Sequence, residues 1–127
     1  MDMTPERLDL CERIIGAARA MNASGLNQGT SGNISARWGD GLLITPSGIP
    51  YDQLGARDIV GVDWDGNVDG AHKPSSEWRI HRDILYARPE TGAVVHAHPT
   101  YATAFAINRT PLPAVHYMVA AGGGSTI

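Results

Sequence analysis

Between residues 33 and 69 the chain is cut by turn-forming residues into short apolar pieces, and this spacing constrains the fold more than any other feature of the sequence. Ile34, Ala36 and Trp38 alternate with polar neighbours, which is the period of a half-buried strand. Gly39-Asp40-Gly41 then turns the chain into a second strand, Leu42 to Thr45, so a hairpin is expected. Pro46-Ser47-Gly48 closes that strand in another polar turn. Val60, Val62 and Trp64 alternate before Asp65-Gly66, a dipeptide suited to a tight hairpin, with Val68 on the return strand. The pattern predicts an antiparallel sheet.

Helical periods flank this region. Thr4-Pro5 supplies a capping hydroxyl and a proline at the first helical position, where its missing N–H costs nothing. Leu8, Cys11, Ile15 and Ala18, with Ile14 and Met21 beside them, form one apolar stripe that ends near Gly25. Leu26 to Asn33 is a polar loop. Further on, Pro74-Ser75-Ser76-Glu77 precedes the helical pattern of Trp78, His81, Ile84 and Leu85, with a serine as cap, Glu77 in the first turn and Pro89 as the stop. Ala93 to His98 is a β-branched run of strand type, and Pro99-Thr100 opens a helix that continues through Ile107. Pro111 to Met118 carries no assignable period. The order helix, strands, helix, strand, helix predicts an α/β layered domain in which helices cover a mostly antiparallel central sheet.

Composition narrows the class. The 127 residues suit a single domain, and at this length folding buries about two-thirds of the unfolded surface. Ten Lys and Arg against 13 Asp and Glu give a net charge of −3 with no basic cluster, which excludes a nucleic-acid partner. Met1 to Ala20 is interrupted by charges and has neither a signal peptide's apolar run nor a membrane span. The lone Cys11 cannot form an internal disulfide, so a reducing compartment, the cytoplasm, is expected.

The chemistry concentrates at Val94-Val95-His96-Ala97-His98. Side chains alternate along a strand, so His96 and His98 share a face with Val94, their Cα atoms about 6.7 Å apart, while Val95 and Ala97 point the other way. Two imidazoles so placed can converge on one ion. Neutral imidazole suits Zn²⁺, yet a catalytic zinc site takes three protein ligands, so the pair needs company. Glu77 is a candidate ligand or base; His81, four residues on, shares its helical face and pairs with it. His116 is a further candidate, whereas His72 alone reads as a satisfied polar side chain. Three turns offer N–H groups and hydroxyls to an anion: Gly29-Thr30-Ser31-Gly32-Asn33, Pro46-Ser47-Gly48 and Ser75-Ser76. None matches a P-loop or a dinucleotide fingerprint.

Taken together, Asn27-Gln28-Gly29-Thr30-Ser31-Gly32-Asn33-Ile34-Ser35, Leu43 to Gly48, Lys73 to His81, Val94 to His98 and Pro113-Ala114-Val115-His116-Tyr117-Met118 resemble the class II aldolase/adducin family across nearly the whole chain. The resemblance is strongest to its aldolases of phosphorylated ketoses such as L-fuculose 1-phosphate. It implies a zinc enzyme that reversibly cleaves such a ketose into dihydroxyacetone phosphate and an aldehyde through a metal-stabilised enediolate. It further implies that His96 and His98 bind zinc, that Glu77 joins them at the metal and is the acid/base, and that Gly32, Asn33, Ser47, Gly48, Ser75 and Ser76 hold the phosphate. Tyr117 is implied as a proton donor reached across a subunit boundary, and a homotetramer as the assembly. The family's third zinc histidine lies well downstream, and this sequence ends at Gly122-Gly123-Gly124-Ser125-Thr126-Ile127. Residues 1–127 are accordingly expected to be the N-terminal portion of a longer chain, binding zinc weakly and inactive alone. Sugar-phosphate epimerases of the same scaffold usually carry an aspartate where Glu77 stands, which favours the aldolase. Dehydratases of methylthioribulose phosphate, decarboxylases and a non-catalytic adducin-type interaction module remain as alternatives; a cupin is rejected because no carboxylate follows the histidine pair before Ile107.

Overall fold

The computed structural model describes residues 2–124; Met1 and residues 125–127 of the terminal glycine-rich run lie outside the described residues. Five strands form one antiparallel sheet in the order β4-β3-β2-β1-β5. They are β1 (Asn33–Trp38), β2 (Gly41–Ile44), β3 (Val60–Asp63), β4 (Val68–Asp69) and β5 (Ala93–His96). The first four meander, and β5 returns after a helix to pair with β1. The helices are α1 (Pro5–Ala23), α2 (Trp78–Ala87), α3 (Thr100–Ile107) and the single turn α4 (Met118–Ala121). The expected layered architecture is present, and every strand pairing is antiparallel.

The sheet is covered on both faces, which explains the unbroken apolar run Leu42-Leu43-Ile44 in β2. Leu43 points with Ile34 and Ala36 toward α1, where Cys11, Ile14, Ile15, Ala18 and Met21 form one core with Tyr51, Leu54 and Ile59. Leu42 and Ile44 point with Val60 and Val62 toward α2 and its Leu85. Each of these β2 side chains is at most 1% exposed, and burying one contributes about 1.5–3 kcal/mol. Val94 joins the α2-side cluster and Ala97 the α1-side one, as strand alternation requires.

Local chemistry sets the element ends. Thr4 Oγ1 accepts from the Arg7 N–H at 3.2 Å, the expected cap of α1, and Gly25 takes a φ of +79° just past the helix end. One position of the stripe differs. Leu8 is 38% exposed, and Arg7 takes the buried place because the inward face runs through 7, 11, 14, 18 and 21. Its stem packs inside while its guanidinium reaches Asp69 at 3.1 Å. Trp64 lies in the loop between β3 and β4 rather than on a strand. There the Asp63 N–H bonds Asn67 O at 3.0 Å, so Asp65-Gly66 sits in a wider loop than a two-residue turn. Two short 3-10 turns, Tyr51–Gln53 and Ala56–Asp58, fill the connection from β2 to β3 beneath α1.

Two differences bear on the site. Glu77 occupies the N-cap position of α2 instead of its first turn, and its own side chain makes no capping bond. Ser75 does part of that work, its Oγ accepting from the Glu77 N–H at 3.4 Å, so the carboxylate is free to turn toward the sheet. β5 ends at His96, two residues before the expected limit, because β1 begins opposite it at Asn33 and the chain before that residue is loop rather than strand. His98 is held instead by its N–H, which donates to Asn27 Oδ1 at 2.8 Å.

Candidate active site

The site forms where the N-terminus of α2 meets the β1–β5 edge of the sheet. Asn33 and His96 are register partners, so their side chains leave the same face, the one covered by α2. Glu77 reaches this face from the helix start. Its Oε2 lies 2.5 Å from His96 Nδ1 and accepts a hydrogen bond from Asn33 Nδ2 at 2.7 Å. The His96 and His98 rings lie side by side, centroids 4.7 Å apart, although His98 is beyond the strand. One ligand atom from each of Glu77, His96 and His98 falls within 4.8 Å of the other two. The convergence of the two imidazoles expected from alternation is present, and Glu77 is the third donor beside them.

Behind this triad stands a buried polar chain. His81, fully buried on α2, has Nε2 2.5 Å from Asn33 Oδ1 and Nδ1 2.7 Å from Ser35 Oγ. Glu77 and His81 therefore do not pair directly; Asn33 stands between them. Burial pushes the Glu77 carboxyl up, but the Asn33 hydrogen bond and the neighbouring His96 and His98 outweigh it and leave it below the ordinary glutamate value. Desolvation, assisted by the charge of His96 and opposed by that of Glu77, lowers His81 to about 4, so its ring is neutral at pH 7.

The anion-binding candidates gather around Glu77. Pro46 and Pro74 form an antiparallel bridge, with the Ser47 N–H donating to Lys73 O at 3.0 Å and the Ser75 N–H to Thr45 O at 3.0 Å. The Pro46-Ser47-Gly48 and Ser75-Ser76 turns thus lie side by side, and the second leads straight into Glu77. Ser47, Gly48 and Ser76 are exposed, Ser75 is buried, and Gly48 has the positive φ of +74°. Gly32 is pressed against the far side of the site. A Cβ there would meet His96 O at 2.7 Å and Asn27 Nδ2 at 2.8 Å, so only glycine fits. Its carbonyl accepts from the Tyr51 hydroxyl. Asn33 is 4% exposed, with its amide committed to Glu77 and His81.

Other candidates stand apart. Tyr117 is 78% exposed with its ring stacked on His116 at 4.3 Å, and neither joins the hydrogen bonds of the triad among the described residues. His72 pairs with Asp58 at 2.8 Å, a satisfied side chain as expected. Sequence reasoning missed Asn27 and the roles of His81 and Ser35. The available signal was two asparagines at the two ends of one Gly/Thr/Ser loop, the first holding His98 and the second holding Glu77.

Residues 12–127 match the Class II Aldolase and Adducin N-terminal domain, and the chain belongs to the class II aldolase/adducin family. Among individual proteins it is 52% identical over 125 residues to 5-methylthioribulose-1-phosphate/5-deoxyribulose-1-phosphate aldolase of Rhodospirillum rubrum, covering 98% of this chain and 57% of that protein. It is 48% identical over 122 residues to L-fuculose phosphate aldolase of Escherichia coli K12, covering 96% of this chain and 57% of that protein. A solved structure of L-fuculose 1-phosphate aldolase superposes with a TM-score of 0.84 at 39% identity, covering 94% of this chain and 57% of that one. The chain therefore spans little more than half the length of the curated relatives it matches. Among the described residues, no helix is long and apolar enough to cross a membrane.

Proposed function

We propose that the whole protein is a zinc-dependent class II aldolase, a carbon-carbon lyase that reversibly splits a ketose 1-phosphate into dihydroxyacetone phosphate and an aldehyde. The observation that carries this reading is the convergence of Glu77, His96 and His98, beside two hydroxyl-rich turns bridged to one another. The donor set fits the metal: two imidazoles and a carboxylate are borderline-soft to hard ligands of the kind Zn²⁺ accepts. Zinc, when bound, would supply the electrophile that takes up negative charge on the ketone and its neighbouring hydroxyl as the carbon-carbon bond breaks.

The chain's own residues do the rest. Glu77, a carboxylate at pH 7, removes a proton from the donor carbon in synthesis and, in the protonated form so produced, returns that proton in the reverse, cleavage direction. Gly32, Ser47, Gly48, Ser75 and Ser76 hold the substrate phosphate through backbone N–H groups and hydroxyls, and Asn33 contributes its second Nδ2 hydrogen. This grip is remote from the reacting carbon and fixes orientation. Tyr117, exposed on its segment, is suited to donate a proton in the site of a neighbouring subunit of a homotetramer. A cytoplasmic location agrees with these substrates. Relatives named for L-fuculose phosphate and for 5-methylthioribulose 1-phosphate or 5-deoxyribulose 1-phosphate give the first ketoses to assay.

The test is dihydroxyacetone phosphate release by the full-length, zinc-loaded protein from each of these ketoses. Release from at least one supports the reading. Epimerised or dehydrated products without dihydroxyacetone phosphate would transfer the site to an epimerase or dehydratase. No turnover of any, with metal bound, would favour a non-catalytic module.

A further inference from the structure

The chain Ser35–His81–Asn33–Glu77 has a fixed hydrogen-bond direction, which the donor and acceptor inventory of its members dictates. Glu77 Oε2 is an acceptor, so the Asn33 group 2.7 Å from it is the Nδ2 donor, and the Asn33 oxygen faces His81. That oxygen only accepts, so His81 carries its hydrogen on Nε2. In a neutral ring Nδ1 is then a bare acceptor, and it takes the Ser35 hydroxyl hydrogen at 2.7 Å. Ser35 and His81 are 0% exposed and Asn33 4%, so water cannot substitute for a lost partner.

Without His81 the Asn33 oxygen would lose its partner, and the amide would be anchored from the Glu77 side alone. Nothing on the α2 side would then fix the rotation of the Asn33 side chain, and its nitrogen would no longer hold the Glu77 carboxylate in one place. His81 belongs to neither the metal triad nor the anion turns. We propose that His81 is a positioning residue: acting through Asn33, it holds the Glu77 carboxylate in the orientation needed for proton transfer at the donor carbon and for metal binding. This rests on the aldolase reading of the site.

The full-length protein tests it with three substitutions and one measurement on the unaltered chain. His81→Phe keeps a flat aromatic ring, one ring atom larger, and removes both nitrogens; His81→Gln keeps one donor and one acceptor. His81→Phe is expected to lower kcat about 100-fold with KM within about threefold, since a misplaced catalytic group has that cost. His81→Gln is expected to recover at least about tenfold of the loss, a rescue that a purely packing role would not give. Ser35→Ala is expected to show the same kcat-selective effect, smaller than that of His81→Phe. In ¹⁵N-labelled wild type, His81 Nε2 should be protonated and Nδ1 bare, a measurement no misfolded variant can confound. The opposite tautomer, or equal kcat loss in the Phe and Gln variants, or unchanged kcat in His81→Phe, overturns the proposal. If the wild type cleaves no ketose phosphate, the aldolase reading fails by itself. The relay is then judged by the tautomer and by zinc titration, where His81→Phe should raise Kd about 10- to 100-fold and His81→Gln much less. An unchanged Kd in His81→Phe rejects it.

Discussion

Gly32→Ala asks most directly whether fold and site are one object. The added Cβ would lie 2.7 Å from His96 O, 2.8 Å from Asn27 Nδ2 and 2.9 Å from Asn27 Cγ, where ordinary contact begins near 3.4 Å. Something has to move by about 0.7 Å. The first neighbour is main chain of a candidate metal ligand, and the second is the buried side chain that holds the His98 N–H. Neither is the loose end of a flexible side chain. Overpacking of this kind costs about 1–3 kcal/mol of stability. The larger effect falls on the metal, because coordination distances tolerate about 0.2 Å and the required shift exceeds that. Urea unfolding of the metal-free full-length protein and zinc titration against a chromophoric chelator would read the two effects. Gly32→Ala is expected to lose about 1–3 kcal/mol and to weaken zinc at least tenfold. Gly16→Ala, on the exposed side of α1 with nothing within 4 Å of the added atom, is expected to gain about 0.4–1 kcal/mol and bind zinc normally. A Gly32→Ala protein with wild-type zinc affinity would refute the placement of Asn27 and His96 around this glycine.

Three further expectations concern single groups. His81, lowered from 6.5 to about 4 by burial, is neutral in the fold, so the unfolded chain takes up its proton first as pH falls; stability should be complete above pH 6.5 and drop by up to about 3 kcal/mol toward pH 4. The difference between wild-type and His81→Phe urea curves across that interval isolates this contribution, and a flat difference would mean the ring is solvated. Glu77→Gln is expected to raise the zinc Kd by at least the 10- to 100-fold expected of His81→Phe and, at saturating zinc, to slow proton exchange at the donor carbon of dihydroxyacetone phosphate by about 10²- to 10⁴-fold, followed by loss of label in NMR; unaltered exchange removes Glu77 from its role. Ser76→Ala, an exposed hydroxyl in the turn before Glu77, is expected to raise KM for phosphorylated ketoses and leave an unphosphorylated analogue unaffected, as initial-rate kinetics would reveal.

The parts of this molecule legible in its sequence are those governed by local period. Alternation alone sends His96 and Val94 to one side and Ala97 to the other, and the structure keeps them there. Thr4-Pro5 and Gly39-Asp40 act through neighbouring backbone, so the start of α1 and the first hairpin were readable too. What period could not supply was the polar wiring. Asn33 and His81 are 48 residues apart in sequence and meet only because α2 lies over β1, a packing decision made by Leu42, Ile44, Val60 and Leu85. Arg7 was hidden for a related reason: its burial depends on Asp69, 62 positions away, at the far edge of the sheet. β5 is shorter than its β-branched run suggests because a strand extends only as far as its partner, and β1 starts at Asn33.

The pairing of Asn33 with His96 carries one further implication. A slip of β5 by a single residue against β1 would send His96 to the α1 side and bring Val95 under Glu77. Such a misalignment would cost little in backbone bonding, but it would leave an apolar side chain where an imidazole belongs. A metal held by the proposed triad would therefore double as an assay of strand alignment: only correctly threaded molecules could gain from the ion, and the ion in turn would penalise every mis-threaded one.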